Sequence, residues 1–243
     1  MVSAKRDATL PLFYKDIVPL NSHHHKAWHS RTTDKASWLV AQNVVPLTVG
    51  EFAEAQRHYP IIFSIGDEPI PLALMGMGEG MNLFVEQDGS LAGPVYIPAY
   101  ARRYPFTLAR LASDDSDLSL CFDPTSELVG NFNDGAPLFD GDDPSEACRS
   151  TLQFCEQFEI ASQKTGAFMA ELHRLALLVE GEFIVHRQGE GRPLVYSGFQ
   201  MIDESKFQNL GVKALGQLHR QGWLSPIDAH LFSLRLMSRL LHL

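Results

Sequence analysis

A short motif that occurs twice constrains the fold more than any other feature of this sequence. Arg57-His58-Tyr59-Pro60 and Arg102-Arg103-Tyr104-Pro105 each follow a helix-like stretch and precede an apolar, strand-like run. A residue that precedes proline is disfavoured in the helical region of the backbone, so each tyrosine is predicted to end a helix and begin an extended segment. The motif therefore predicts two helix-to-strand corners at which basic and aromatic side chains stand together.

Short apolar runs separated by glycine and aspartate predict antiparallel hairpins around these corners. The predicted strands are residues 61–65, 70–75, 81–87, 106–112, 118–123, 182–187 and 193–202. Three of the connecting turns are predicted at 66–68, 113–117 and 189–192. Residues 123–142 show little periodicity, and we expect them to form a long surface loop.

Helix-capping patterns predict where the helices begin. Thr48 and Glu51 read as a capping box for a helix that runs to about Arg57. Asp143 is the predicted N-cap of the longest helix, which extends to about Leu178; whether it breaks near Gly166 stays open. Two more helices are predicted over 211–221 and 226–241.

These elements predict an α+β fold, in which an antiparallel sheet built from hairpins is packed by one long helix and the C-terminal helices. Residues 1–36 are polar and are expected to form an extended N-terminal arm. Residues 37–243 are expected to form a single domain.

Composition limits the classes of function. The formal net charge of −9 argues against a nucleic-acid-binding surface, because phosphate binding needs a basic stripe. No run of apolar residues is long enough for a membrane span, and the N-terminus lacks the pattern of a secretory signal. The odd count of three cysteines (Cys121, Cys148 and Cys155) is typical of a reducing compartment. We therefore expect a soluble, cytoplasmic protein.

Several sequence features contain residues that bind metals or cofactors, but none has the spacing or the setting that such a site requires. The run His23-His24-His25 contains good metal ligands, yet adjacent histidines on a loop point in different directions; whether they bind a metal stays open. The glycines of Gly76–Gly80 lead into a predicted strand, whereas a phosphate-binding loop opens a helix, so we predict a turn. No nucleophile motif is present. We assign no catalytic residue, no metal site and no cofactor.

The corners supply the candidate ligand-binding residues. These are His58, Tyr59, Tyr100, Arg102, Arg103 and Tyr104. Guanidinium groups offer a planar fork that binds carboxylates or phosphates, and tyrosines add apolar contact. The alternative is that the tyrosines pack the corners while the arginines bond to helix carbonyls.

Segments spread along almost the whole sequence resemble the SapC family, named for a bacterial surface-layer export locus. They are Val18-Pro19-Leu20-Asn21, Val45-Pro46-Leu47-Thr48, Glu51-Phe52, His58-Tyr59-Pro60-Ile61, Asn82-Leu83-Phe84-Val85, Tyr96-Ile97-Pro98-Ala99-Tyr100, Arg102-Arg103-Tyr104-Pro105-Phe106, Gly198-Phe199, Asp203-Glu204, Leu218-His219, Ala229-His230-Leu231 and Ser233-Leu234. The resemblance implies a bacterial protein encoded near flavin-dependent tryptophan-halogenase-like proteins, cupin-like proteins and TonB-dependent receptors. It brings no catalytic residues with it.

Two functions from different classes follow as hypotheses. The first is a non-catalytic accessory protein of surface-layer or outer-membrane export or uptake, which binds a protein or peptide partner. The wide apolar surface of the C-terminal helix is either buried or a partner or homodimer surface. The alternative is a small-molecule or peptide-modifying enzyme, in which Arg102 and Arg103 hold an anionic group, Tyr59, Tyr100 and Tyr104 line the pocket and His58 transfers protons.

Overall fold

The structure of the chain is a computed structural model that describes residues 10–111, 118–185 and 194–241. The strands are β1 (Val18–Pro19), β2 (His29–Ser30), β3 (Val44–Pro46), β4 (Ile61–Phe63), β5 (Pro71–Leu74), β6 (Phe106–Ala109), β7 (Ser119–Phe122), β8 (Val129–Gly130), β9 (Ala136–Pro137), β10 (Phe139–Asp140), β11 (Asp143–Pro144), β12 (Leu178–Val185) and β13 (Leu194–Ile202). The α-helices are α1 (Ser22–His25), α2 (Phe52–Ala55), α3 (Ala99–Arg102), α4 (Glu146–Arg174), α5 (Glu204–Gln208), α6 (Val212–Gln221) and α7 (Leu224–Ser233). Short 3-10 helices cover Ser37–Leu39, Val49–Glu51 and Leu234–Leu241.

The chain packs as two compact units, each made of two separate stretches of sequence. The first unit contains the described residues up to Asp34 together with Arg103–Gln157. The second contains Lys35–Arg102 and the described residues from Phe158 onward. Helix α4 contributes residues to both units. The arm over residues 1–36 and the single domain over 37–243 stay predictions.

The second unit is built on a five-stranded antiparallel sheet in the order β12-β13-β4-β5-β3. Ile62, Leu74 and Phe199 of this sheet form an apolar core with Met237 and Leu240 of the last 3-10 helix. The sheet therefore buries one face of the C-terminal segment, and the predicted α+β class with hairpin-built sheets is confirmed.

Among its described residues the first unit contains three small antiparallel sheets, in the orders β1-β7-β6, β8-β2-β9 and β10-β11. Phe106 and Phe122 belong to its apolar core, to which α4 adds Cys148 and Cys155. These two cysteines lie on one face of the helix, as their spacing predicts. All three cysteines are buried free thiols.

Most of the predicted local structure is confirmed. The capping box of Thr48 and Glu51 is present and opens the helical turns that lead to α2. Both Tyr-Pro corners follow helical segments and lead directly into strands, β4 at Ile61 and β6 at Phe106. The hairpin turns predicted at 113–117 and 189–192 lie outside the described residues, although the strands before and after them pair as expected.

The predicted strand over residues 81–87 is wrong, because only an isolated bridge from Val85 to Leu91 forms there. The Asn82 side chain holds this segment as a loop. Its amide nitrogen donates to the carbonyls of Leu39 and Gln42 at 3.0 and 2.9 Å, and its oxygen accepts from the Phe84 N–H at 2.9 Å. A side-chain amide bonded to the backbone in this way replaces the ladder of a sheet.

The predicted surface loop over residues 123–142 is also wrong in part. It contains β8, β9 and β10, and the side chains of Val129, Leu138 and Phe139 are buried in the first unit. Each of these strands has only two residues, which is too short for an alternating pattern to show in the sequence.

The longest helix begins later than predicted, so Asp143 is not its N-cap. Asp143 and Pro144 form β11, which pairs with β10. Ser145 caps the helix instead, because its hydroxyl oxygen accepts from the Cys148 N–H at 3.1 Å. Helix α4 then runs without a break through Gly166 and ends at Arg174 rather than at about Leu178.

Candidate functional site

Tyr59 closes the first corner and is completely buried in the second unit. Its hydroxyl donates to the backbone carbonyl of Tyr96 at 3.1 Å, and its ring meets Phe84 edge-on. Burial, followed by the nearby Glu51 carboxylate, raises the pKa of Tyr59 well above its usual value. The phenol therefore stays protonated, and its hydrogen bond is used within the fold.

Glu51 is the centre of the hydrogen bonds beside this corner, although the sequence suggested only a helix cap for it. Its Oε2 accepts from the Thr48 N–H and hydroxyl at 2.7 and 2.8 Å. Its Oε1 accepts from the Tyr96 hydroxyl at 2.9 Å and from the Ala99 N–H at 2.6 Å. One buried carboxylate thus holds the start of the helical turns at Val49 and the start of α3.

Arg102 extends this arrangement to the surface through Tyr96. Its Nε donates to the Ile97 carbonyl at 3.0 Å, and a terminal nitrogen donates to the Tyr96 hydroxyl at 3.2 Å. The same hydroxyl donates to Glu51, so it joins an exposed cation to a buried anion. Burial and the Glu51 carboxylate raise the pKa of Tyr96 to about 12.

The other predicted residues of the second unit have simpler surroundings. His58 is half-buried, and its ring centre lies 6.3 Å from that of Tyr59. Tyr100 is buried in α3 with its ring 6.0 Å from Phe158. Tyr59 and Arg102 are therefore brought together around Tyr96, whereas Tyr100 packs against α4.

Arg103 and Tyr104 belong to the first unit, because the division between the units falls directly after Arg102. Arg103 is buried, and its carbonyl accepts from the Phe106 N–H at 2.7 Å. The Tyr104 ring meets Tyr14 edge-on at 5.3 Å, and burial raises the pKa of the Tyr104 phenol. The six predicted residues are thus divided between two units, and their joint role as a binding site stays a prediction.

A groove on the second unit is a binding feature that the sequence did not reveal. It has a volume of about 700 Å³ and is open to solvent. Its walls come from the end of β13, from α5 and from the helical segment around α7. The lining residues are Val179, Met201, Ile202, Asp203, Glu204, Ser205, Phe207, Gln208, Asp228, Leu231, Phe232, Leu234 and Arg235.

Two signals in the sequence could have pointed to this groove. Asp203 follows directly after a strand and accepts from the Lys206 N–H at 3.1 Å, which is the pattern of an N-cap and marks the start of α5. Asp228, Phe232 and Arg235 recur at helical spacing, and Phe232 remains 60% exposed. A single exposed aromatic residue is ordinary on a protein surface, and Phe232 becomes informative because it lies in the lining of the groove.

Buried polar groups fix the helical wall of the groove onto the sheet. His230 is completely buried, and its Nε2 accepts from the Ile202 N–H at 3.0 Å. The Ser233 hydroxyl accepts from the Ile61 N–H at 2.9 Å and donates to the His230 carbonyl at 2.7 Å. Helix α7 therefore turns His230 and Ser233 inward and presents Phe232 to the groove.

The stability of the protein is expected to fall in mild acid because of His230. Burial lowers the pKa of His230 to about 3 from the ordinary 6.5, so the unfolded chain takes up the proton more readily than the folded one. This contribution is complete above pH 6.5 and is lost as the pH falls toward 3, by at most about 1.4 kcal/mol per pH unit. Urea unfolding at several pH values between about 7 and 4 measures it.

A His230→Gln variant keeps an acceptor for Ile202 but cannot take up the proton. We expect it to be less stable than wild type at neutral pH and to show a flatter dependence on pH. His173→Gln is the matched control, because His173 is exposed on α4. If His230→Gln and wild type lose stability in parallel as the pH falls, His230 is not the group responsible.

The histidine run forms helix α1 rather than the loop expected from the sequence. His25 is half-buried, and its Nδ1 accepts from the Asn21 N–H at 3.1 Å. Its ring packs edge-on against Trp28 and Phe122, and burial lowers the pKa of its imidazole. Within residues 10–111, 118–185 and 194–241, no three His, Cys, Asp or Glu side chains are grouped so that they could hold a metal ion.

Among the helices described for this chain, none combines the length and the apolar character that crossing a membrane requires.

Comparison with known proteins identifies the family. The family model described as SapC matches residues 20–240, which is nearly the whole chain. Neither the curated proteins nor the solved structures provide a match. On the strength of this match, the protein belongs to the SapC family.

Proposed function

We propose that this SapC-family protein is a non-catalytic accessory protein of bacterial surface-layer or outer-membrane export or uptake, and that it acts by binding a protein or peptide partner. Family membership supports the link to surface-layer export. The open groove beside α7 is the single observation that carries the binding role.

The lining of the groove suits a polypeptide segment. Its apolar residues include Phe207, Leu231 and Phe232, while charged residues stand at α5 and around α7. Binding surfaces commonly combine an aromatic anchor with a polar rim. A volume of about 700 Å³ holds a few side chains, and the open side lets a chain enter and leave.

The C-terminal segment divides its apolar residues between two roles. Met237 and Leu240 are buried in the core of the second unit, whereas Phe232 remains exposed beside the groove. A homodimer formed through this segment would therefore have to use the exposed surface around Phe232. Such a dimer would compete with the proposed partner for the groove. We propose a cytoplasmic location, which the buried free thiols of the three cysteines support.

The proposal is tested by selecting binders from a displayed library of random peptides against the full-length chain. Peptides that bind wild type are expected to lose at least about fivefold in affinity for Phe232→Ala, since truncation of an aromatic anchor commonly costs more than about 1 kcal/mol. Titration calorimetry on the selected peptides measures this loss.

Val212→Ala is the matched control, because Val212 is 88% exposed and does not line the groove. It should bind the selected peptides as wild type does. If no peptide is enriched, or if Phe232→Ala binds as tightly as wild type, the groove is not a peptide-binding site.

The alternative of a modifying enzyme with an Arg/Tyr/His pocket at the Tyr-Pro corners stays a prediction. The exposed Arg102 guanidinium, held by Tyr96, is what supports it. Tyr59 is buried and protonated, and Glu51 is buried and accepts hydrogen bonds within the fold. Neither residue therefore provides an acid–base group for such an enzyme.

A further inference from the structure

We infer that the groove takes a segment of a partner protein in which one lysine or arginine stands beside an apolar side chain. The inference rests on the proposed peptide-binding function and adds the chemistry of the partner to it. It is carried by the order of charged and apolar residues along the groove.

The apolar part of the segment has a defined place. Leu231 and Phe232 of α7 and Phe207 of α5 line the groove. Phe232 is 60% exposed, so a partner's apolar side chain that covers it removes that surface from water. This contact supplies affinity that does not depend on charge.

The charges of the groove favour a basic neighbour for that apolar side chain. Among the described residues that line it, Asp203, Glu204 and Asp228 are anionic and Arg235 alone is cationic. Asp203 is partly neutralised by Lys206, whose Nζ lies 3.8 Å from its carboxylate. Glu204 accepts a hydrogen bond from the Gln208 side chain at 3.1 Å, which leaves its negative charge uncompensated.

Asp228 is the carboxylate best placed to bind the basic group. It is exposed, and within the described part of the chain it has neither a hydrogen bond nor an ion pair from its side chain. It lies one helical turn before Phe232, on the same face of α7. The alkyl stem of a lysine or arginine can therefore lie on the Phe232 ring while its head group reaches Asp228.

Arg235 limits the number of basic residues that the groove accepts. It lies just after α7, in the 3-10 segment Leu234–Leu241, and lines the groove three residues beyond Phe232. A second cation of the partner at that end would meet a like charge, which disfavours polybasic segments. The formal net charge of −9 on the whole chain attracts a basic partner at long range.

Synthetic nine-residue peptides test the inference. Each carries a leucine or phenylalanine next to a central position that is lysine, glutamine or glutamate, and binding to the full-length chain is measured by fluorescence anisotropy. We expect the lysine series to bind about tenfold tighter than the glutamine series, as one charge-assisted contact provides. Asp228→Asn should lower this preference to below about threefold, because the amide carries no charge to pair with the lysine.

Asp67→Asn is the matched control, because Asp67 is an exposed carboxylate that does not line the groove. It should keep the wild-type preference for lysine. Melting temperatures equal to that of wild type show that both variants fold, as exposed positions should allow.

The outcomes separate this inference from the proposed function. Equal binding of the three series, or a preference for glutamate, overturns the inference that the partner is basic. If that binding is still lost in Phe232→Ala, the proposed peptide-binding groove remains supported. If no series binds, both fail. A concentration-dependent dimer in sedimentation that is lost in Phe232→Ala makes a second copy of this chain the occupant, which also overturns the inference.

Discussion

Gly76→Ala is expected to destabilise the protein by more than about 3 kcal/mol, which is a large share of the stability of an ordinary domain. A Cβ atom at this position would lie 1.9 Å from the carbonyl oxygen of Met81 and 2.9 Å from its carbonyl carbon. Both are backbone atoms that cannot rotate away. The Gly76 N–H donates to the Asn43 carbonyl at 3.1 Å, so a hydrogen bond also holds the backbone at this residue.

Gly78→Ala provides the matched control, since a Cβ there would meet no atom within 4 Å. It should change the free energy of unfolding by less than about 0.5 kcal/mol, as surface substitutions usually do. Urea unfolding of the two variants and wild type gives the comparison. Equal stabilities for Gly76→Ala and Gly78→Ala would show that the approach to Met81 does not constrain residue 76.

Glu51→Ala is expected to cost about 3 to 5 kcal/mol, because it removes one buried acceptor from several buried or partly buried donors at once. The N–H groups of Thr48 and Ala99 and the hydroxyl of Tyr96 all lose their partner. The starts of two helical segments would loosen together. Urea unfolding measures the loss, and the exposed Glu54→Ala in α2 is the control that should stay near wild type.

Glu51→Gln separates the shape of this side chain from its acceptor capacity. The amide keeps one oxygen acceptor but directs an NH₂ group at the remaining donors. We therefore expect a stability between those of wild type and Glu51→Ala. A Glu51→Gln protein as stable as wild type would contradict the account of Glu51 as an acceptor on both of its oxygens.

The corners and caps were predictable because local backbone rules decide them. The residue before proline is disfavoured in the helical region by its own local sterics, and both Tyr-Pro motifs follow helical segments as this rule predicts. The same holds for the capping box at Thr48, whose partner Glu51 is three residues away. The hairpins around β4 and β12 followed from apolar runs on either side of a turn.

The hydrogen bonds that Glu51 accepts through Oε1 were not predictable from the sequence, because they depend on the tertiary fold. Its Oε1 meets Tyr96 and Ala99, which are more than forty positions later in the chain. The prediction of a strand over residues 81–87 was wrong for a similar reason. Asn82 donates to the carbonyls of Leu39 and Gln42, which come close to it only in the folded chain. The groove likewise exists only once His230 has placed α7 against β13.

The interleaving of the two units has a consequence for how the protein is made. The chain leaves the first unit after Asp34, returns to it at Arg103 and departs again after Gln157. During synthesis the first unit cannot complete its fold until Arg103–Gln157 has been made. Lys35–Arg102 packs with residues from Phe158 onward, which are made later still. No single cut therefore yields a fragment that carries one whole unit and nothing else. Either half of a divided gene would leave an unfinished apolar core exposed, and the native fold would require that the two polypeptides find each other.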